Sequence, residues 1–217
     1  QPRIDRAIAG LIDGYFADAC GRRQVVFDKS RGWLEVIEPM ERALGRPMRI
    51  ITMVRDVRAI VASFEKLYQQ RGLTFRREGE PEGAMHNVYT RADMTLSTEQ
   101  VTGRSIERLL LALRAYHERL LMVPYPALTD DPHDTLTRIH DWLELPPFTY
   151  NPDHVEQITH EDDSFFGTDL HTIRPKVESA PCGPWKGVLP DDLCERIARD
   201  YAVINQRAAG PVIAGDQ

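Results

Sequence analysis

A short apolar run over residues 50–54, the end of a strand candidate that spans 48–54, stops at Arg55-Asp56, and Val57, Ile60, Val61, Phe64, Leu67 and Tyr68 then follow at helical spacing. A continuous run of that length fits a strand covered on both faces, and the stripe after it fits a helix lying back on the sheet. The same change of period recurs. Residues 24–30 read as a buried strand ahead of a helix over about 34–44, and 121–125 as a third strand between helices. This alternation predicts an α/β fold, a mostly parallel sheet flanked by helices. Ligands of such sheets lie beyond the carboxyl ends of the strands. Asp28, Lys29, Ser30, Arg31, Arg55, Asp56 and Tyr125 are therefore the first positions to ask for chemistry.

The rest of the chain is organised around these units. Ile4, Ala7, Ile8, Leu11, Ile12, Tyr15 and Phe16 form one helical stripe over 4–19. Residues 71–100 are polar, with Pro81 and three glycines, and read as an insertion or lid. A helix is expected over about 105–120. Asp131 is placed to cap another that starts at Pro132 and runs to about Leu143. Residues 160–184 are loop-like, and a last helix spans about 190–207. The 217 residues form a single domain in this reading.

Composition removes several classes of function. There are 27 basic and 33 acidic residues, a net charge of −6, which disfavours nucleic acid as the main partner. No apolar run approaches the roughly 18 residues of a membrane span. Cys20, Cys182 and Cys194 have neither disulfide-framework nor metal-ligand spacing. With no secretory leader in the chain, a reducing cytoplasm is the expected location. The pattern Gly-x₄-Gly-Lys-Ser/Thr is missing, which weighs against a nucleotide-dependent kinase. His133 and His140 are two helical turns apart, about 10 Å, too far to share a metal unaided. No metal is expected.

The strand ends together resemble the sulfotransferases that use 3′-phosphoadenosine 5′-phosphosulfate (PAPS), most closely the branch of the protein-tyrosine sulfotransferases and their bacterial relatives. Arg55-Asp56-Val57-Arg58-Ala59-Ile60-Val61-Ala62-Ser63 is similar to the family's strand-then-helix element, with an Arg at the strand end and a Ser eight residues on. Phe27-Asp28-Lys29-Ser30 resembles the strand that ends in the family's lysine. Val123-Pro124-Tyr125 resembles its Tyr-bearing strand, although Pro126-Ala127 replaces the usual acidic pair. Trp185-Lys186-Gly187 is similar to the segment that closes over the cofactor.

The resemblance implies a P-loop NTPase-like sulfotransferase fold and transfer of a sulfuryl group from PAPS to a hydroxyl or amine of a small-molecule or peptide acceptor. It implies that Lys29 acts at the transferring group, that Arg55 and Ser63 hold the 3′-phosphate, and that Tyr125 lines the adenosine site. Arg174 or Lys176 would supply the basic contact of the C-terminal loop. The family's glycine-rich phosphate loop is not found here, so the resemblance also implies a first strand, loop and helix upstream of Gln1, with the general base, a glutamate, among them. Arg31 stands where the cytosolic branch has a His and cannot act as a base; His86 and His171 are the fallback bases. Two other readings are a non-catalytic nucleotide-binding or protein-binding relative, and a kinase on the same fold.

Overall fold

The computed structural model describes residues 2–20, 25–71, 86–157 and 173–214. Its centre is β2 (Leu120–Pro124), every residue of which is buried. β1 (Ile50–Val54) runs parallel to it in the register Ile50–Leu120 to Val54–Pro124, and β3 (Ile213–Ala214) pairs antiparallel along its other edge. β2 is uniformly apolar because each of its faces meets a core. Leu120 and Met122 join Val54, Val57, Leu193 and Ile197, while Leu121 and Val123 pack with Ile139.

The helices are α1 (Pro2–Cys20), α2 (Ile37–Leu44), α3 (Val57–Arg71), α4 (Val88–Leu96), α5 (Val101–Ala115), α6 (Tyr125–Asp130), α7 (Pro132–Leu143), α8 (Asp191–Asp200) and α9 (Ala202–Ala209). Their ends follow local chemistry. Asp131 caps α7 by accepting the Asp134 amide, as its position before Pro132 predicts. Gly45, at φ +65°, closes α2 in the left-handed conformation that suits glycine. Glu41 of α2 accepts both the Met48 amide and the Arg119 guanidinium, so one carboxylate fixes the approaches to β1 and β2.

The fold is mixed α/β, rich in helix, with a small sheet of one parallel and one antiparallel ladder. It departs from expectation in four places. Residues 25–30 are not a strand: they are exposed and belong to no ladder, with Phe27 61 % accessible. An apolar run becomes a buried strand only where an edge receives it, and among the described residues β1 is paired with β2 alone. Part of the expected insertion, 71–100, is regular structure. Asn87 and Thr90 form a capping box that starts α4, and Ala92 is buried in the core. Tyr125 opens α6 instead of ending a strand, because Pro124 and Pro126 leave a helix start as the economical geometry. The last helix is split at Tyr201 into α8 and α9. No helix among the described residues is long and apolar enough to cross a membrane.

Candidate functional site

The carboxyl ends of β1 and β2 lie side by side, and each delivers a side chain at once: Arg55 after β1, Tyr125 after β2. The Arg55 guanidinium carbon sits 4.7 Å from the centroid of the Tyr125 ring, a cation–π contact that bridges the two strand ends. Beside them is a cavity of about 900 Å³. Residues 29–34 form one wall, β1 and Arg55 the floor, and α3, α4 and α5 the opposite wall.

Lys29, Arg31 and Arg55 all line this cavity, and none has a carboxylate partner among the described residues. Lys29 is exposed on a stretch kept in shape from both sides: the Trp33 indole donates to Asp28 Oδ2 at 2.7 Å, and Ser30 Oγ accepts the Gly32 amide at 3.1 Å. Three unpaired cations at one cavity attract a polyanion, and an arginine fork suits phosphate or sulfate oxygens.

Arg58, one turn beyond Arg55, is fully engaged. Its Nε and Nη2 donate to the two oxygens of Asp56 at 2.9 and 2.6 Å, and its guanidinium lies 4.1 Å from the Trp185 ring centroid. The hydrogen bonds to Asp56 outweigh burial and raise its pKa further. Asp56 Oδ1 also accepts the Arg58 amide, and Asn205 Oδ1 accepts the Val57 amide at 2.9 Å, so these two amides at the start of α3 are satisfied by protein groups. Nearby Cys194 is held neutral: burial pushes its thiol up, against the pull of Arg58.

The other expected residues lie apart from the cavity wall. Ser63 is exposed on α3, about 9 Å along the helix axis from Val57, and does not line the cavity. Arg174 and Lys176 are exposed and paired, with Glu178 at 3.2 Å and Asp153 at 2.5 Å. His86 is exposed beside the start of α4; His171 lies outside the described residues. His140 bonds Pro146 O and the Tyr150 hydroxyl through its two nitrogens, each at 2.7 Å, a structural role.

Two features escape a reading of strand ends. On the α3–α4 wall, Glu65 is 5 % exposed and receives Arg91 Nε and Nη2 at 2.7 Å each, with the guanidinium 4.0 Å from the Tyr68 ring centroid. A carboxylate one turn after Val61, on the buried stripe, is the signal that would have marked it. The second is a tether: Thr129 Oγ1 accepts the Ala180 amide at 3.2 Å, drawing the C-terminal segment onto α6.

Comparison with known proteins agrees with this fold. A solved structure described as the sulfotransferase domain from the curacin biosynthetic pathway superposes with a TM-score of 0.52 at 19 % identity, covering 91 % of this chain and 67 % of its own. Among curated proteins none matches. The model of the Sulfotransferase family matches residues 3–150, the span that holds both strand ends and the cavity lining apart from Ile204, and the chain belongs to that family.

Proposed function

We propose that the sulfuryl donor is PAPS and that the acceptor is a hydroxyl or an amine. The observation that carries this reading is the convergence on one cavity beside Tyr125 of Lys29, Arg31 and Arg55, none with a carboxylate partner among the described residues. That donor set fits a nucleotide with several anionic groups and a flat base. Arg55 would hold the 3′-phosphate together with Ser63, which requires the guanidinium to swing from the Tyr125 ring toward α3. Tyr125, so released, would offer its ring to the adenosine. Arg174 and Lys176 would join by exchanging exposed carboxylate partners for phosphate oxygens, a low-cost exchange for surface ion pairs.

PAPS brings an activated sulfuryl group on a good leaving group. The acceptor atom attacks sulfur in line, the bond from sulfur to the bridging oxygen breaks, and that electron pair leaves with adenosine 3′,5′-bisphosphate. Lys29 would neutralise the charge that builds on the bridging oxygen. Proton removal from the acceptor belongs to a residue other than these protonated cations.

Incubating the full-length polypeptide with PAPS labelled in its sulfur, and a set of hydroxyl and amine acceptors, tests the proposal. Label should move to an acceptor and adenosine 3′,5′-bisphosphate should be released without added magnesium. Magnesium-dependent ATP turnover with no label transfer would replace this reading with a kinase.

A further inference from the structure

Two bridges cross the same pair of strand ends. One is the Arg55–Tyr125 contact. The other is the backbone from Ala180 to Trp185, pinned at the β2 end by the Ala180 amide on Thr129 Oγ1 and at the β1 end by the Trp185 ring on Arg58. Both pins sit within a turn of the residues they flank: Thr129 Oγ1 lies 3.2 Å from the Tyr125 carbonyl oxygen, to which it donates, and Arg58 is three residues after Arg55. The strap is shaped on its own account. Gly183 has φ +59°, the Lys186 amide closes a turn onto its carbonyl, and the Val188 and Leu189 amides both donate to Trp185 O. Trp185 also packs against the main core.

Arg58 is thus clamped between Asp56 on its edge and Trp185 on its face, while Asn205 holds the intervening Val57 amide. Peptide 55–58 cannot rotate without breaking one of these contacts, and Arg55 leaves the backbone at its start. We propose that Arg58 and Trp185 are positioning residues that set where the Arg55 guanidinium can reach, and so set the preference of the site for a 3′-phosphate. This inference rests on the donor assignment made above.

The test compares adenosine 3′,5′-bisphosphate with adenosine 5′-monophosphate by calorimetry on the full-length polypeptide, the ratio of the two affinities being the readout. Trp185→Ala and Arg58→Ala should each lower that ratio about fivefold, the scale of one cation–π contact. Trp185→Phe, which keeps an aromatic face, should retain most of it. Trp185→Ala decides the matter alone if Arg58→Ala fails to fold. A loss of thermal stability with an unchanged ratio, or equal weakening of both ligands, would overturn the proposal. Absence of bisphosphate binding by the unmutated protein would instead overturn the donor assignment.

Discussion

Arg55 and Arg58 are chemically identical and three residues apart, yet only one is free to bind a ligand. Arg58 is committed to Asp56 and Trp185, whereas Arg55 rests on an aromatic face that a phosphate can replace. Replacing Arg55 with Ala should therefore weaken adenosine 3′,5′-bisphosphate by about 10- to 100-fold, the range of a charge-assisted hydrogen bond. It should weaken adenosine 5′-monophosphate far less; equal effects in calorimetry would refute the assignment. Lys29→Ala should leave bisphosphate affinity near its original value and lower turnover by about 100-fold, the scale of a lost electrostatic stabiliser. A steady-state assay in which KM for PAPS rises while kcat holds would make Lys29 a binding residue instead. The sequence alone singled out Lys29, Arg55 and Tyr125 as strand ends; Arg55 does follow β1 and Tyr125 does follow β2, whereas Lys29 ends no strand and reaches the cavity from an exposed stretch. Which arginine is free was not readable. That depends on Trp185, which only tertiary structure brings to Arg58.

At the scale of elements, the wall formed by α3, α4 and α5 depends on contacts with little tolerance. Glu65→Ala would remove both carboxylate hydrogen bonds from the Arg91 guanidinium, 15 % exposed, and should cost about 3 kcal/mol in urea unfolding. A loss below about 1 kcal/mol would rank the pair with surface ion pairs. Gly103 of α5 faces the end of α4 so closely that an added Cβ would stand 2.2 Å from the Leu96 carbonyl oxygen. Gly103→Ala should therefore destabilise by about 2 kcal/mol through overpacking, and a neutral result would contradict that helix approach. Glu41 supplies a pH dependence. Burial raises its pKa, but the Met48 amide and Arg119 together lower it below the ordinary value of 4.5. Its contribution is full above that value and is lost as pH falls through the depressed one. Glu41→Gln should accordingly flatten the acid limb of the stability curve below about pH 4.5. Helices with a clear 3.6-residue stripe, such as α3 and α7, were legible because the stripe is a local property, whereas α4, inside the expected insertion, and the break between α8 and α9 were not. The apolar run at 25–27 was not, because a strand exists only with a neighbouring edge, and pairing is decided elsewhere in the chain.

For the whole molecule, the sheet places β1 and β2 in parallel, so that their carboxyl ends, the first turns of α3 and α6, and the strap of residues 180–189 meet at one place. The acidic balance of the chain does not oppose an anionic ligand, since Lys29, Arg31 and Arg55 line one cavity at the β1 end with no carboxylate partner among the described residues. On the proposed reading, this convergence binds the nucleotide of PAPS. The direct measurement is calorimetric titration of the full-length polypeptide with adenosine 3′,5′-bisphosphate. One nucleotide should bind per chain, tighter than adenosine 5′-monophosphate, with the preference lost in Arg55→Ala. No heat of binding from a folded protein, or equal affinity for the two nucleotides, would contradict it.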